Sequence, residues 1–189
     1  MKQFLVLILF FLNSNMIAQE RNYFYEIRKF DENYSSISVT SRFVHSVGFR
    51  YYWATEGLRD EDLLYKPSET GINTRETLEH IYGLTIMIHN GFHNKDIVRS
   101  KSYPSLSYDE LRKNTLELLE NTVILLDGIS EEDFKNAEIK FSKQSYPIYN
   151  LFHGPISDAI YHVGQVVSYR RASGNPIPKG VNHFMGIKM

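Results

Sequence analysis

Apolar residues recur at helical spacing in four long stretches of the chain, and polar start and stop signals separate them. The first stretch runs from Ser35 or Ser36 to about Leu58. Phe43, Val47, Arg50, Tyr51 and Ala54 share one side and His45, Phe49, Tyr52 and Glu56 another, so two aromatic faces predict substantial burial. Residues 58–64, followed by Lys66 and Pro67, read as a break, a short helical turn and a loop through Gly71. Asn73 and Glu76 have capping-box spacing, which predicts a second helix ending near Gly91 or Asn94. His80, Leu84, Met87, Ile88 and Gly91 fall on one of its faces, with Thr77 and Ile81 at the side. Ser107 and Glu110 repeat the capping spacing and open a third helix to Asp127 and Gly128, with Leu111, Thr115, Leu118, Thr122 and Leu125 spaced for a core. Residues 130–134 form a short capped turn. Residues 137–149 alternate, Ile139 and Phe141 against Lys140 and Ser142, and predict extended chain that Pro147 keeps out of a sheet centre. A fourth helix runs from Tyr149 or Asn150 to Ala172, can bend at Gly154 and Pro155, and ends at Gly174-Asn175-Pro176. Four helices with two longish connections predict an all-α fold, a four-helix bundle with a long crossover connection, over residues 35–189.

Composition narrows the reading. The 189 residues suffice for one domain with a real core, and 42% hydrophobic residues exclude a disordered chain. A net charge of -1 leaves no basic surplus, so no nucleic acid partner is expected. There is no cysteine, so any metal must be held by histidine and carboxylate. Residues 1–18 read as a signal peptide: Lys2 is the positive start, Phe4 to Leu12 the apolar run, and Ala18 a small residue before the cut. An uncleaved interfacial helix is the competing reading, and the run is too short for a stable span. The expectation is an exported protein, periplasmic or secreted, with no stable membrane anchor after cleavage. Residues 19–34 are taken as an N-terminal extension ahead of the domain.

The candidate chemistry lies near the C-terminus. On the fourth helix Asp158 and His162 stand one turn apart on the same side, with Val166 and Tyr169 beneath them, while Val163 and Val167 point to a core. That spacing suits two ligands of one divalent metal, and equally an aspartate holding a histidine by a hydrogen bond. His80 is the polar ring on the second helix's stripe, readable as a ligand or as a core histidine satisfied by a neighbour. His89 and His93 form a rival pair four residues apart. Their place at a helix C-terminus favours a solvated role instead. His80, Asp158 and His162 on facing helices would make a three-ligand set that leaves positions open for water or substrate.

The segments Thr77-Leu78-Glu79-His80-Ile81, Asp158 to Val166 and Arg170 to Ile177, with Trp53, Gly57-Leu58, Asp62-Leu63 and Lys66-Pro67 upstream, resemble the DinB superfamily. The resemblance spans roughly residues 36–177. It implies a four-helix bundle, often a homodimer, with three histidines binding a divalent metal; carried over by position these are His80, Asp158 and His162. Asp158 departs from the usual histidine and makes the site harder, leaving zinc, nickel, manganese or iron open. The family includes thiol transferases, so the resemblance implies a metal-dependent hydrolase or transferase that activates water or a thiol against a small-molecule substrate. Export weighs against the thiol version. Glu56 is the candidate general base, and Gln165 and Tyr169 the residues that orient ligands or touch substrate, against plain core packing. Arg170 is expected as a salt-bridge partner at the edge of the core. The alternative function is a noncatalytic exported bundle used for binding or dimerisation.

Overall fold

The structure, a computed structural model, describes residues 22–29, 33–98, 100 and 102–189. The signal-peptide assignment and its cut after Ala18 lie outside the described residues. Four long helices carry the fold: α1 (Ser36–Thr55), α3 (Thr74–Phe92), α4 (Tyr108–Gly128) and α6 (Ser157–Ala172), with short helices α2 (Asp60–Leu64) and α5 (Glu131–Asn136) in the connections. Both predicted capping boxes form. Asn73 accepts from the Glu76 amide at 2.8 Å while Glu76 accepts from the Asn73 amide at 2.8 Å. Ser107 and Glu110 exchange the same two bonds at 3.2 and 2.7 Å, which satisfies amides that helix starts leave without partners. Ser35 caps α1 in the same manner with Ser38.

α1 packs against α4 and α6, and α3 packs against the same two, so α1 and α3 occupy opposite corners of the bundle. The shared core includes Val47, Tyr51, Ile81, Ile88, Leu119 and Val166, all fully buried. The alternating stretch forms an antiparallel hairpin, β1 (Glu138–Phe141) with β2 (Gln144–Pro147), whose last residue is the edge-confined proline. The fourth helix does bend where Gly154 and Pro155 suggested: a π-turn spans Phe152–Ile156, Gly154 leaves helical geometry, and regular α6 starts only at Ser157. A second small hairpin, β3 (Val181–Asn182) with β4 (Ile187–Lys188), closes the chain, and its two-residue strands are too short to show an alternating pattern.

Residues 22–29 are part of the domain, not an extension ahead of it. Phe24 is fully buried, Tyr23 stacks on His45 with centroids 5.1 Å apart, and Trp53 Nε1 donates to the Tyr25 carbonyl at 3.1 Å. Helical periodicity could not reveal this, because the segment docks irregularly through single side chains. It fits because α1 carries glycine at position 48, where a Cβ would lie 2.2 Å from the Phe24 ring. Gly48→Ala should therefore cost about 1–3 kcal/mol by overpacking, seen as a lower urea midpoint at unchanged slope. An unchanged midpoint would show that Phe24 docks elsewhere.

Arg170 on α6 is buried, and its bonds correct the salt-bridge expectation. Nη1 donates to the carbonyls of Trp53, Ala54 and Glu56 at 3.3, 3.0 and 3.0 Å, and Nε donates to that of Asn175 at 2.7 Å. A guanidinium thus supplies the donors that the C-terminus of α1 lacks. Beside it, buried Asp62 accepts from Arg59, Ser173 and Asn175. Burial alone would raise its pKa, but those bonds outweigh it and hold the carboxyl well below the usual carboxylate range.

His89 also departs from its expected solvated role. It is buried, its Nδ1 lies 3.3 Å from both the Leu118 carbonyl and Thr122 Oγ1, and its ring lies tilted against that of His93 with centroids 3.9 Å apart. α4 packs over this end of α3, and neighbours 29 and 33 residues away are invisible to local spacing. Burial, chiefly, pushes His89 and His45 each down to about 4. Between the ordinary histidine value of about 6.5 and pH 4 the unfolded chain binds more protons than the folded one. Stability must then fall as pH drops through that window, by up to about 1.4 kcal/mol per pH unit for each histidine. The contribution of Asp62 has the same sign but is lost only below about pH 4. Urea titrations in chelator from pH 7 to 4.5 should show this fall, and His89→Gln should flatten it; a pH-independent midpoint would contradict the burial of both rings.

Candidate metal centre

On α6 the core stripe is Ala159, Val163, Val166 and Arg170. Asp158 and His162 sit one position earlier, turned about 100° from that stripe. On α3 His80 likewise flanks the buried Leu78 and Ile81. The three therefore meet at the α3–α6 seam, at the surface of the bundle and not in its core. His80 and Asp158 side chains remain 47% and 44% exposed, while His162 is recessed at 14%.

The side chains converge. Asp158 turns one oxygen to each ring: Oδ2 lies 3.3 Å from His80 Nε2 and Oδ1 lies 3.3 Å from His162 Nε2. The rings stand edge to face with centroids 4.5 Å apart, and one ligand atom from each residue falls within 4.8 Å of the others. Gln165, one turn along α6, accepts from His162 Nδ1 at 2.7 Å. An amide oxygen only accepts, so Nδ1 carries a proton and Nε2 is the nitrogen turned toward Asp158. Each of the two contacts matches the about 3.3 Å that separates neighbouring ligands about 2.0–2.1 Å from a tetrahedral metal, through a different Asp158 oxygen in each case. A mixed nitrogen and oxygen set suits zinc, nickel, manganese or iron, and Gln165 is the outer partner that metal-binding histidines normally have. The residues present fit a divalent metal.

Gln165 stands one hydrogen bond from the cluster. Gln165→Leu should weaken metal binding about 10- to 100-fold while leaving the helical signal unchanged, by titration with a chromophoric chelator; equal affinity would remove Gln165 from the centre. The structure does not bring Glu56 or Tyr169 to the cluster. The Glu56 carboxylate is bonded to Arg112 of α4, and the Tyr169 ring packs toward Tyr65, 5.8 Å between centroids.

A cleft of about 720 Å³ opens beside the centre, with His80 and Asp158 in its wall together with Leu84, Met87, Val98, Tyr103, His153, Pro155, Ser157 and Tyr161. Glu79 holds the outer wall in place: Oε1 pairs with Arg75 at 2.9 Å, Oε2 accepts from the Tyr103 amide at 2.9 Å, and Arg75 reaches the Leu106 carbonyl at 2.6 Å. His153, Tyr103 and Tyr161 escaped sequence reasoning because nothing in helical spacing ties the bend, the loop and α6 to one cleft. The Arg75 and Glu79 pair, four apart on α3, is the one local signal that points to this wall.

No family model matches the chain, and no curated protein matches it either. Solved structures do. A DinB-like protein of Bacillus subtilis, YjoA, superposes with a TM-score of 0.57 at 20% identity, covering 82% of this chain and 100% of its own. YfiT of the same organism, described as a probable metal-dependent hydrolase with an unusual four-helix bundle topology, gives 0.56 at 14% identity over 80% of this chain and 98% of its own. The chain has the four-helix-bundle fold of the DinB-like proteins, as the resemblance of its sequence implied.

Proposed function

We propose that this chain is an exported, metal-dependent hydrolase that acts on a small molecule, with transfer to a thiol as the variant of the same chemistry. The observation that carries the proposal is the convergence of His80, Asp158 and His162, with the His162 tautomer set by Gln165, on the wall of an open cleft. A divalent ion held by these three supplies Lewis acidity and lowers the pKa of bound water or thiol. The remaining work falls to the chain. Asp158 spans both imidazoles and fixes their separation, and Gln165 prevents the His162 ring from turning. Leu84, Met87, Val98 and Pro155 give the cleft an apolar side that excludes water from a substrate's body, and Ser157, Tyr103 and Tyr161 offer hydroxyls to its polar end. His153 puts a further imidazole in the cleft and so takes the part of candidate base that the sequence suggests for Glu56, which does not line it.

The description of YfiT as a hydrolase supports hydrolysis, as does the expectation of export. Aryl esters and amides should be turned over by metal-loaded protein and not by an Asp158→Asn variant. Absence of metal-dependent turnover in protein shown to hold metal would favour the noncatalytic binding role.

A further inference from the structure

The cleft beside the metal centre does not end at the bend before α6. A second chamber of about 540 Å³ adjoins it there, and Met87, His153, Gly154 and Pro155 line both. The neck between the chambers is thus the π-turn over Phe152–Ile156 together with one side chain of α3. The turn keeps the neck open: Gly154 leaves helical geometry, and a Cβ added to it would meet no atom within 4 Å. On α3, His80, Leu84 and Met87 follow one another at steps of four and three residues and so share a face that runs toward the helix end. At about 1.5 Å per residue, a ligand held at His80 reaches Met87 after about 10 Å.

The β1–β2 hairpin walls the second chamber. Ile139, Phe141 and Tyr146 give it an apolar side, with the Phe141 and Tyr146 rings edge to face and their centroids 6.0 Å apart. Ile139 is buried, and β1 packs on α3. This wall is tied to that of the first chamber. The Ile97 amide donates to the Lys140 carbonyl at 2.8 Å, Asn90 Nδ2 donates to the Asp96 carbonyl at 3.0 Å, and Val98, the next residue, lines the first chamber. Charge is distributed unevenly along the double cleft. Glu79, His80 and Asp158 lie in the first chamber, whereas the second has, among the described residues, Lys143 as its one permanently charged side chain, exposed at the hairpin turn.

We infer that the second chamber is a subsite for the uncharged, apolar tail of an elongated substrate, an ester or amide whose carbonyl lies at the metal centre. The tail passes Met87 and ends between the hairpin and Pro155. For the carbonyl the inference rests on the hydrolytic function proposed for the centre; for the tail it rests on the continuity of the two chambers. Size favours a long ligand. Each chamber is within the range of about 300–1,000 Å³ that one drug-sized molecule fills, so a short ester would leave the second to water. Lining chemistry favours an apolar tail, because the Met87 thioether adapts to irregular shapes and the Phe141 and Tyr146 rings offer faces and edges to a further ring. Held this far from the reacting carbonyl, the tail supplies remote binding energy that positions the carbonyl against the centre and His153.

The test is calorimetric binding of two uncharged probes, phenylacetamide and 6-phenylhexanamide, which carry the same ring at different distances from the carboxamide. The full chain is used, both stripped with chelator and loaded with zinc. In both forms 6-phenylhexanamide should bind about 10-fold more tightly or better, since each fully buried methylene is worth about 3- to 4-fold. Tyr146→Ser, at an exposed hairpin position, should cut that gain to about 3-fold or less and leave phenylacetamide binding unchanged. Gly154→Leu should do the same by placing a side chain in the neck. Equal affinities for the two probes, or no binding of 6-phenylhexanamide, would overturn the inference. So would a full gain retained by either variant with its helical signal intact, which would put the tail elsewhere. The stripped protein separates this result from catalysis. The gain without turnover of the matching aryl esters by loaded protein would support the subsite and count against hydrolysis, whereas turnover without the gain would overturn the subsite alone.

Discussion

Arg170→Met should be the most damaging single substitution in the chain, at about 3–5 kcal/mol. The methionine refills much of the volume but removes every donor. The carbonyls of Trp53 and Ala54 would stay buried with no partner in place of the guanidinium, and the part-buried carbonyls of Glu56 and Asn175 would lose theirs; an unsatisfied buried acceptor costs about 1–3 kcal/mol, not additively. For a domain of this size the loss corresponds to a fall in Tm on the order of 10 °C. Arg170→Lys should recover only part of it, because an ammonium cannot serve the Glu56 and Asn175 carbonyls from two edges of one plane. Thermal unfolding followed by circular dichroism checks both variants. A shift of a degree or two for Arg170→Met would mean that the end of α1 finds water in place of the guanidinium.

The second large effect is stabilisation by metal. A ligand that binds only the folded state stabilises it by about 2.7 kcal/mol when present at 100 times its Kd, which is a rise in Tm of roughly 5–10 °C here. Zinc, nickel or manganese added to chelator-treated protein should produce that rise. His80→Ala should abolish it while its own metal-free Tm changes little, because His80 is half exposed and lies outside the core stripe. Removing a direct ligand should weaken binding by more than the roughly 10- to 100-fold expected of an outer partner, so His162→Ala should exceed Gln165→Leu. Equal metal responses in wild type and His80→Ala would place the ion elsewhere on the protein.

Features encoded within a turn or two of chain are legible in the amino-acid sequence itself. The capping pairs Asn73 with Glu76 and Ser107 with Glu110 mark the starts of α3 and α4 to within a residue, because the donors they satisfy are three residues away. Gly154 and Pro155 announce the bend because neither supports regular helix. On α6 the relation of Asp158, His162 and Gln165 can also be read from spacing. His80 joins them through family resemblance, since nothing in local periodicity links residues 78 positions apart.

What escapes is tertiary. Helical phase places His80 with Leu84 and Ile88, but burial shows it at the border of that stripe, and a shift of one residue turns a core group into a cleft group. Glu56 looks like a free base in the sequence, yet Arg112 of α4 claims its carboxylate across the bundle. Phe24 and the β3–β4 turn at Phe184 have no repeating pattern to read: one is buried because Gly48 leaves room for its ring, and the other is displayed by a turn that Asn182 and Gly186 close.

His80, Asp158 and His162 should together hold one divalent metal. Elemental analysis should be made on protein purified without a metal-binding tag, beside the double variant Asp158→Ala, His162→Ala. About one equivalent of a transition metal in the parent and none in the variant is the expected outcome. Absence of metal from both proteins, even after incubation with zinc, nickel and manganese, would contradict the claim and leave the three side chains as a polar cluster on the seam between α3 and α6.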